Sequence, residues 1–260
     1  MLSVETFPTL TEAAGRMGGD ARYLGGGTLV MRDVNYGAEG FGRLVRSADP
    51  GLRQIAAASG GVRIGAGATM SDLIGNAETA VLASAARAVG GPAIRNMATV
   101  GGNLFAPNPY GDFAVALLAL DASVEMADGR TMSLADLLAS RDRPAGLVAG
   151  IVFQRPENNA FRYRKVSRVK PKGVSVMSIA VNLKRGDPRV TFGNMGAVPM
   201  RSTGAERALA NGSDSTAIEA ACSACLEGLT PQNDELATEW YRREVAPVHL
   251  RRLLQNEGRV

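Results

Sequence analysis

Ile94-Arg95-Asn96-Met97-Ala98-Thr99-Val100-Gly101-Gly102-Asn103-Leu104, followed by Asp112 and an apolar run through Leu120, decides the reading of this chain. Earlier comes a second stretch of the same kind, Tyr23-Leu24-Gly25-Gly26-Gly27-Thr28-Leu29-Val30. In each, small residues and a hydroxyl follow an apolar run, which suits a backbone that turns sharply and bares its N–H groups to an anion. Two such turns can grip a diphosphate from both sides. A lone Gly-Gly-Gly-Thr is most often only a turn, whereas the pair with its flanking residues is far more specific. Convergent N–H groups can solvate such an anion without a cationic side chain, and Thr28, Thr99 and Asn103 can add hydrogen bonds.

At these residues the chain resembles the flavin-binding medium subunits of the molybdenum hydroxylases, the family of carbon monoxide dehydrogenase, xanthine dehydrogenase and 4-hydroxybenzoyl-CoA reductase. The family's first loop, Ala-Gly-Gly-Thr or close to it, is matched by Gly25 to Thr28. Its second, Arg-Asn-x-Ala-Thr-Ile-Gly-Gly-Asn, is matched by Arg95 to Asn103. Arg63-Ile64-Gly65-Ala66 with Thr69 and Asp72-Leu73 looks like the connecting strand and turn. Asn194-Met195-Gly196-Ala197-Val198-Pro199 with Arg201 and Glu206 looks like the C-terminal domain, and Tyr241-Arg242-Arg243 with Arg251-Arg252 like the closing helix. The resemblance covers nearly the whole chain.

It implies an α+β protein: a two-lobed FAD-binding domain of the vanillyl-alcohol-oxidase (PCMH) type over residues 1–155, with lobes of about 1–55 and 56–155, then a small α+β domain of the carbon monoxide dehydrogenase flavoprotein type over 156–260. It implies an oxidoreductase subunit that takes electrons from iron–sulfur clusters in a small partner subunit and passes them through FAD to an external acceptor. Substrate is hydroxylated at a molybdenum cofactor in a large partner subunit, so the assembly is a heterotrimer or a dimer of heterotrimers. The cofactor-binding residues implied are Gly25, Gly26, Gly27, Thr28, Leu29, Thr99, Val100, Gly101, Gly102, Asn103, Asp112 and Lys165. For Asp112 two readings stand together, a local helix cap and a flavin contact. Tyr163, Lys165 and Arg168 match the Tyr-x-Lys and downstream Arg of the family's C-terminal domain. Lys170-Pro171-Lys172-Gly173 departs from it, since many members carry an acidic residue there.

The composition agrees. A chain of 260 residues, 45% hydrophobic and 21% charged, can bury a large core and is long enough for two domains. No stretch approaches the roughly 18 consecutive apolar residues of a membrane span, and Met1-Leu2-Ser3-Val4-Glu5 lacks an export signal's basic start and apolar run, so a cytoplasmic location is expected. The formal charge of +4 is too small to hold a long polyanion tightly, and the cluster Arg162, Arg164, Lys165, Arg168, Lys170 and Lys172 has only Phe161 and Tyr163 as interleaved aromatics. It reads as a solvated face or a docking patch for an acidic partner, not a nucleic-acid site. Arg242, Arg243, Arg251 and Arg252 on the last helix read equally as docking residues or structural pairs.

Along the chain, Thr11 to Met17 reads as a helix with a threonine cap, Ala21 to Leu24 and Arg43 to Arg46 as strands, and Asp49-Pro50-Gly51 as a turn. Ile55 to Ala58 and Val62 to Ile64 form a hairpin around Ser59-Gly60-Gly61. A helix from Thr79 to Val89 ends at Gly90-Gly91-Pro92. Asp112 caps the helix Phe113 to Leu120, Ala122 to Met126 is a strand, and Leu147 to Phe153 closes the unit. Beyond the connection at Pro156-Glu157-Asn158-Asn159, Val174 to Leu183 alternates as a half-buried strand and pairs with Arg189 to Asn194. Ser202 to Ala210 is helical, Ser215 caps Thr216 to Glu227, and Glu239 to Asn256 is a final helix.

No catalytic triad or metal cage can be assembled. The single histidine, His249, lies on the last helix, and Cys222 with Cys225 share one helix face without a second pair, so they read as buried apolar side chains. No histidine or cysteine lies near the glycine stretches, which implies that FAD is held noncovalently. The chain lacks molybdenum-site and ferredoxin-like cysteine sequences, which leaves those groups to partner subunits. The competing classes are a self-sufficient FAD-dependent oxidoreductase and a flavin-free assembly protein.

Overall fold

Three sheets organise the chain in a computed structural model that describes residues 2–37, 40–143, 146–169 and 173–256. The first is small and parallel. Strand β1 (Ser3–Phe7) is followed by helix α1 (Leu10–Ala14), β2 (Ala21–Tyr23), α2 (Val30–Asn35) and β3 (Arg43–Ser47), with β3 central in the order β1-β3-β2. Thr9, not Thr11, caps α1: its hydroxyl accepts the amide of Glu12, so the cap lies two residues before the one the sequence suggested.

After a 3-10 turn at Pro50–Arg53, strands β4 (Ile55–Ala58) and β5 (Gly61–Gly65) make the expected hairpin, with Gly60 at φ +75° where a side chain would be strained. Helix α3 (Met70–Gly75) is held by a capping box between Thr69 and Asp72. The helix expected from Thr79 to Val89 is in two parts, a 3-10 segment at Ala77–Leu82 and then α4 (Ala83–Ala88). Next come α5 (Pro92–Arg95), α6 (Val100–Leu104), α7 (Asp112–Ala119), β6 (Ser123–Met126), β7 (Thr131–Ser133), α8 (Leu134–Ala139) and β8 (Val148–Gln154). The sheet runs β4-β5-β8-β6-β7, so the last strand in sequence occupies the middle and ties the two hairpins together.

The remaining elements are β9 (Phe161–Ser167), β10 (Ser175–Asn182), β11 (Arg189–Gly193), β12 (Met200–Arg201), α9 (Thr203–Leu209), α10 (Ser215–Ala224) and α11 (Glu239–Leu254). The sheet is antiparallel in the order β12-β11-β10-β9. The half-buried reading of β10 is overturned, because every residue from Ser175 to Asn182 is buried. One face of β10 meets α7 and the other meets α11, so both sets of side chains are covered. Asp214, not Ser215, caps α10 through its carboxylate and the Ala217 amide.

Helix α7 joins the large core to this last sheet. All its residues are buried, as a helix apolar all round requires. Phe113, Ala116 and Leu117 enter the core of the five-stranded sheet, while Val115 and Ala119 rest on Ala180 of β10. The Thr191 hydroxyl donates to the Val115 carbonyl at 2.9 Å, fixing the helix against β11.

The arginines of α11 are mostly structural. Arg242 is only 1% exposed, and its guanidinium donates to the carbonyls of Val176, Gln232 and Ala237 and pairs with Asp234. Arg243 pairs with Glu239 and Arg251 with Glu219. From the cluster on β9, Arg162 donates to the last carbonyls of α11 at Leu253 and Leu254, while Lys170 and Lys172 lie outside the described residues. Cys222 and Cys225 are buried free thiols in the apolar core beneath β10 and β11, where burial and then the neighbouring thiol push Cys225 up to about 12. No helix among the described residues is long and apolar enough to cross a membrane.

Candidate functional site

Strand β2 delivers the first glycine stretch to the second. Leu24 still donates to Val45 at 2.7 Å, and the chain then leaves the sheet at Gly25. A methyl group on Gly26 would overlap the Met97 carbonyl and lie 3.2 Å from the Thr99 amide; one on Gly25 would lie 3.1 Å from the Thr99 hydroxyl. The two stretches therefore touch backbone to backbone, and side chains are excluded between them. Gly27 takes φ +73°, the left-handed turn that aims the chain into α2. Among the described residues, none accepts a hydrogen bond from the amides of Gly25, Gly26, Gly27, Thr28 or Leu29.

The second stretch is built differently from its expected open turn. It is the short helix α6, capped by Thr99, whose hydroxyl accepts the Gly102 amide at 3.1 Å. The amides of Val100 and Gly101 donate to Ala68 and Ala66 at 2.9 and 2.8 Å, and that of Asn103 to Thr99. These N–H groups are engaged within the protein, so the consecutive run of unengaged donors lies in the first stretch. Neither Gly101 nor Gly102 has positive φ. Gly101 is buried, and a methyl group there would sit 2.9 Å from the Ala66 side chain and 3.0 Å from its carbonyl. Gly102 is exposed, and within 4 Å a methyl group would meet only the Thr99 hydroxyl.

The capping part expected of Asp112 is taken by Asn103. The buried Asn103 amide oxygen accepts from the amides of Phe113 and Ala114 at 3.1 and 3.2 Å, and its nitrogen donates to Tyr110. It is therefore the side chain that caps α7. Gly111 is the formal cap residue, and Asp112 is the first helical residue with no capping bond. The Asp112 Oδ2 lies 3.0 Å from the Lys165 ammonium, which also donates to the Ala88 carbonyl at 2.9 Å. Its Oδ1 is buried and has no partner among the described residues, and a donor from a ligand would satisfy it.

Lys165 reaches this point from β9, beside Tyr163. The buried phenol of Tyr163 lies against Ser178, and its pKa stands well above the ordinary tyrosine value, chiefly through burial and then through the nearby Asp112 charge. Arg168 is exposed and stands apart from this cluster, and Lys170 to Lys172 lie outside the described residues. The site thus gathers the first stretch, α6 and the start of α7, with Lys165 coming from the last sheet. Arg95, the first residue of the matched second stretch, donates to the carbonyls of Arg87, Val89 and Gly90, and one neighbour escaped the sequence reading: Arg32 of α2, whose guanidinium stands 5.1 Å from the Tyr110 ring centre. Arg32 lies within a turn of the first glycine stretch, the one signal that could have drawn attention to it.

Known proteins resemble this chain over most of its length. Residues 2–153 match the model of the FAD binding domain in molybdopterin dehydrogenase, and residues 162–256 that of the CO dehydrogenase flavoprotein C-terminal domain. The glyceraldehyde dehydrogenase medium chain of Sulfolobus acidocaldarius is 25% identical over 213 residues, covering 76% of each chain. A putative xanthine dehydrogenase FAD-binding subunit of Escherichia coli is 26% identical over 243 residues, covering 85% of this chain and 83% of that one. Among solved structures, carbon monoxide dehydrogenase from Hydrogenophaga pseudoflava aligns with a TM-score of 0.89 at 23% identity, over 98% of this chain and 96% of that one.

Proposed function

This chain belongs to the FAD-binding subunits of the molybdenum hydroxylase family, oxidoreductase components with an α+β fold, and on that premise we propose that it relays electrons from iron–sulfur clusters of a partner subunit to an external acceptor. Its partners would be that iron–sulfur subunit and a large molybdenum-binding subunit, as a heterotrimer or a doubled heterotrimer. We assign residues 1–155 to the FAD-binding domain and 156–260 to the C-terminal domain. Bound FAD would supply the redox chemistry, exchanging electrons singly or in pairs, while the protein sets its position and electrostatics.

The observation that carries the assignment is the run of unengaged amides from Gly25 to Leu29, backed against Met97 and Thr99 where side chains are excluded. A diphosphate is the part of FAD that such a donor set fits. In this reading Gly25, Gly26, Gly27, Thr28 and Leu29 supply the donors. Thr99, Val100, Gly101 and Gly102 form the wall opposite, with Gly102 as its open surface. Asp112 offers Oδ1 to a cofactor donor, Lys165 holds that carboxylate in place, and Asn103 fixes the start of α7 from which Asp112 projects.

The test is to isolate the native protein gently and analyse both its colour and its company. FAD released into the supernatant on acid precipitation, with two further subunits carrying molybdenum and iron–sulfur clusters, is the expected result. FMN, or colour retained in the pellet, would overturn the noncovalent diphosphate reading. A monomer whose flavin is reduced rapidly by an organic substrate alone would replace the relay by a self-sufficient oxidoreductase.

A further inference from the structure

The free amides from Gly25 to Leu29 solvate a diphosphate but carry no net charge to neutralise it. The cations around them are mostly committed elsewhere. Arg95 directs its guanidinium at the carbonyls of Arg87, Val89 and Gly90. Lys165 is divided between Asp112 and the Ala88 carbonyl. Arg32 is different: its carboxylate contact is Asp33, the next residue, at 3.5 Å, with side chains 39% and 49% exposed. An exposed pair of that length contributes little and leaves the guanidinium free to serve another anion.

Position supports that use. Arg32 lies on α2, directly after the loop of free amides. Its guanidinium stands over the Tyr110 ring at 5.1 Å, and Tyr110 belongs to the segment between α6 and α7, where its carbonyl accepts from Asn103. The stacked pair thereby joins the first glycine stretch to the chain that follows the second. A ring face orients a guanidinium without quenching its charge, and leaves its N–H edge available for phosphate oxygens.

Resting on the FAD reading above, we propose that Arg32 is the cationic member of the diphosphate site, held toward the loop amides by the face of Tyr110. The charge acts on the phosphates, so its contribution is to affinity and to the salt dependence of affinity. Tyr110 is a positioning residue that acts through Arg32.

The experiment is FAD titration of the flavin-depleted protein, followed by flavin fluorescence at low and high ionic strength, for the wild type and for Arg32→Gln, Arg32→Lys and Tyr110→Leu. Circular dichroism checks the fold of each. Arg32→Gln should weaken FAD binding about 10- to 100-fold at low salt, the range of a charge-assisted hydrogen bond. The deficit should shrink as salt screens the wild-type attraction. Arg32→Lys should recover a good part of the affinity, and Tyr110→Leu should fall between wild type and Arg32→Gln. Equal FAD affinity in wild type and folded Arg32→Gln at low salt would overturn the Arg32 assignment while leaving the FAD site standing. So would an Arg32→Lys variant as weak as Arg32→Gln. A folded wild type that takes up no FAD would overturn the underlying reading and this inference with it.

Discussion

The Lys165 ammonium stands 3.0 Å from the Asp112 carboxylate, with side chains 15% and 4% exposed, and it reaches there from β9 while Asp112 opens α7. The pair joins the two segments that match separate family models, and the same ammonium caps the last turn of α4 through Ala88. A carboxylate this deeply buried needs a cation beside it, because stripping water from a lone charge is far more costly than leaving it solvated. The pair thus sets where the last sheet docks and holds the carboxylate that offers its other oxygen to the site.

Lys165→Met should therefore destabilise the protein by about 3–5 kcal/mol, the range for breaking a buried ion pair from one side. In a chain of this size that lowers the melting temperature by on the order of 10 °C. Adding Asp112→Asn should restore much of the loss, since the stranded charge is then removed. Two single variants whose effects simply add in the double would show that the ion pair is not the unit of stability.

Tyr163 gives a pH signature with a definite sign. Burial, and then the Asp112 charge, raise its pKa well above the ordinary tyrosine value of 10. The folded state therefore keeps its proton where the unfolded chain has lost it. The stabilisation is fully present below the unfolded pKa and is lost as pH rises through 10 toward the folded value. Denaturant midpoints measured on either side of that pH should fall less steeply for Tyr163→Phe than for the wild type. Some slope should survive in the variant, because burial raises Tyr23 as well. Identical slopes would remove Tyr163 from the alkaline transition.

Which parts of this site could be read in the sequence depends on how far away the deciding neighbour lies. The glycines of both stretches are visible by type. Their reasons are not, because Gly26 is fixed by Met97 and Gly101 by Ala66, both remote in sequence. The rule that an acidic residue at a helix start caps it favours Asp112, yet the cap comes from Asn103, brought there by the packing of α6 on α7. Alternation in β10 suggests one wet face, but α7 covers that face from another part of the chain. Arg242 sits among charged residues on α11 and reads equally as a docking residue or a structural pair until its ring of carbonyl acceptors is seen. Elements set by local rules, such as the hairpin at Gly60 and the strands β2 and β3, were legible.

The capping role of Asn103 is testable by itself. Asn103→Ala leaves the Phe113 and Ala114 amides at the start of α7 without an acceptor, and should cost about 1–3 kcal/mol. Asn103→Asp keeps the acceptor oxygen and should cost less in thermal unfolding. FAD affinity should fall in Asn103→Ala by displacement of Asp112. An Asn103→Ala protein with wild-type stability would return Asn103 to a purely ligand-facing role.

Gly101 and Gly102 are adjacent and look equivalent in sequence, but the structure separates the consequences of replacing them. At Gly101 a β-carbon meets the Ala66 side chain and carbonyl at 2.9 and 3.0 Å, inside a buried contact that also receives the Gly101 amide. Gly101→Val should therefore damage the fold, by about 1–3 kcal/mol or more for an overpacked core position. At Gly102 the nearest atom is the Thr99 hydroxyl at 2.9 Å, the end of a side chain, and the surface beyond it is open. Gly102→Val should keep a near-native melting temperature while losing FAD, because its methyl groups project from the wall facing the loop amides. Thermal unfolding and flavin content of the two purified variants decide it. Full FAD occupancy in Gly102→Val would show that this surface lies outside the cofactor site, and a stable, folded Gly101→Val would show that the Ala66 contact can open without cost.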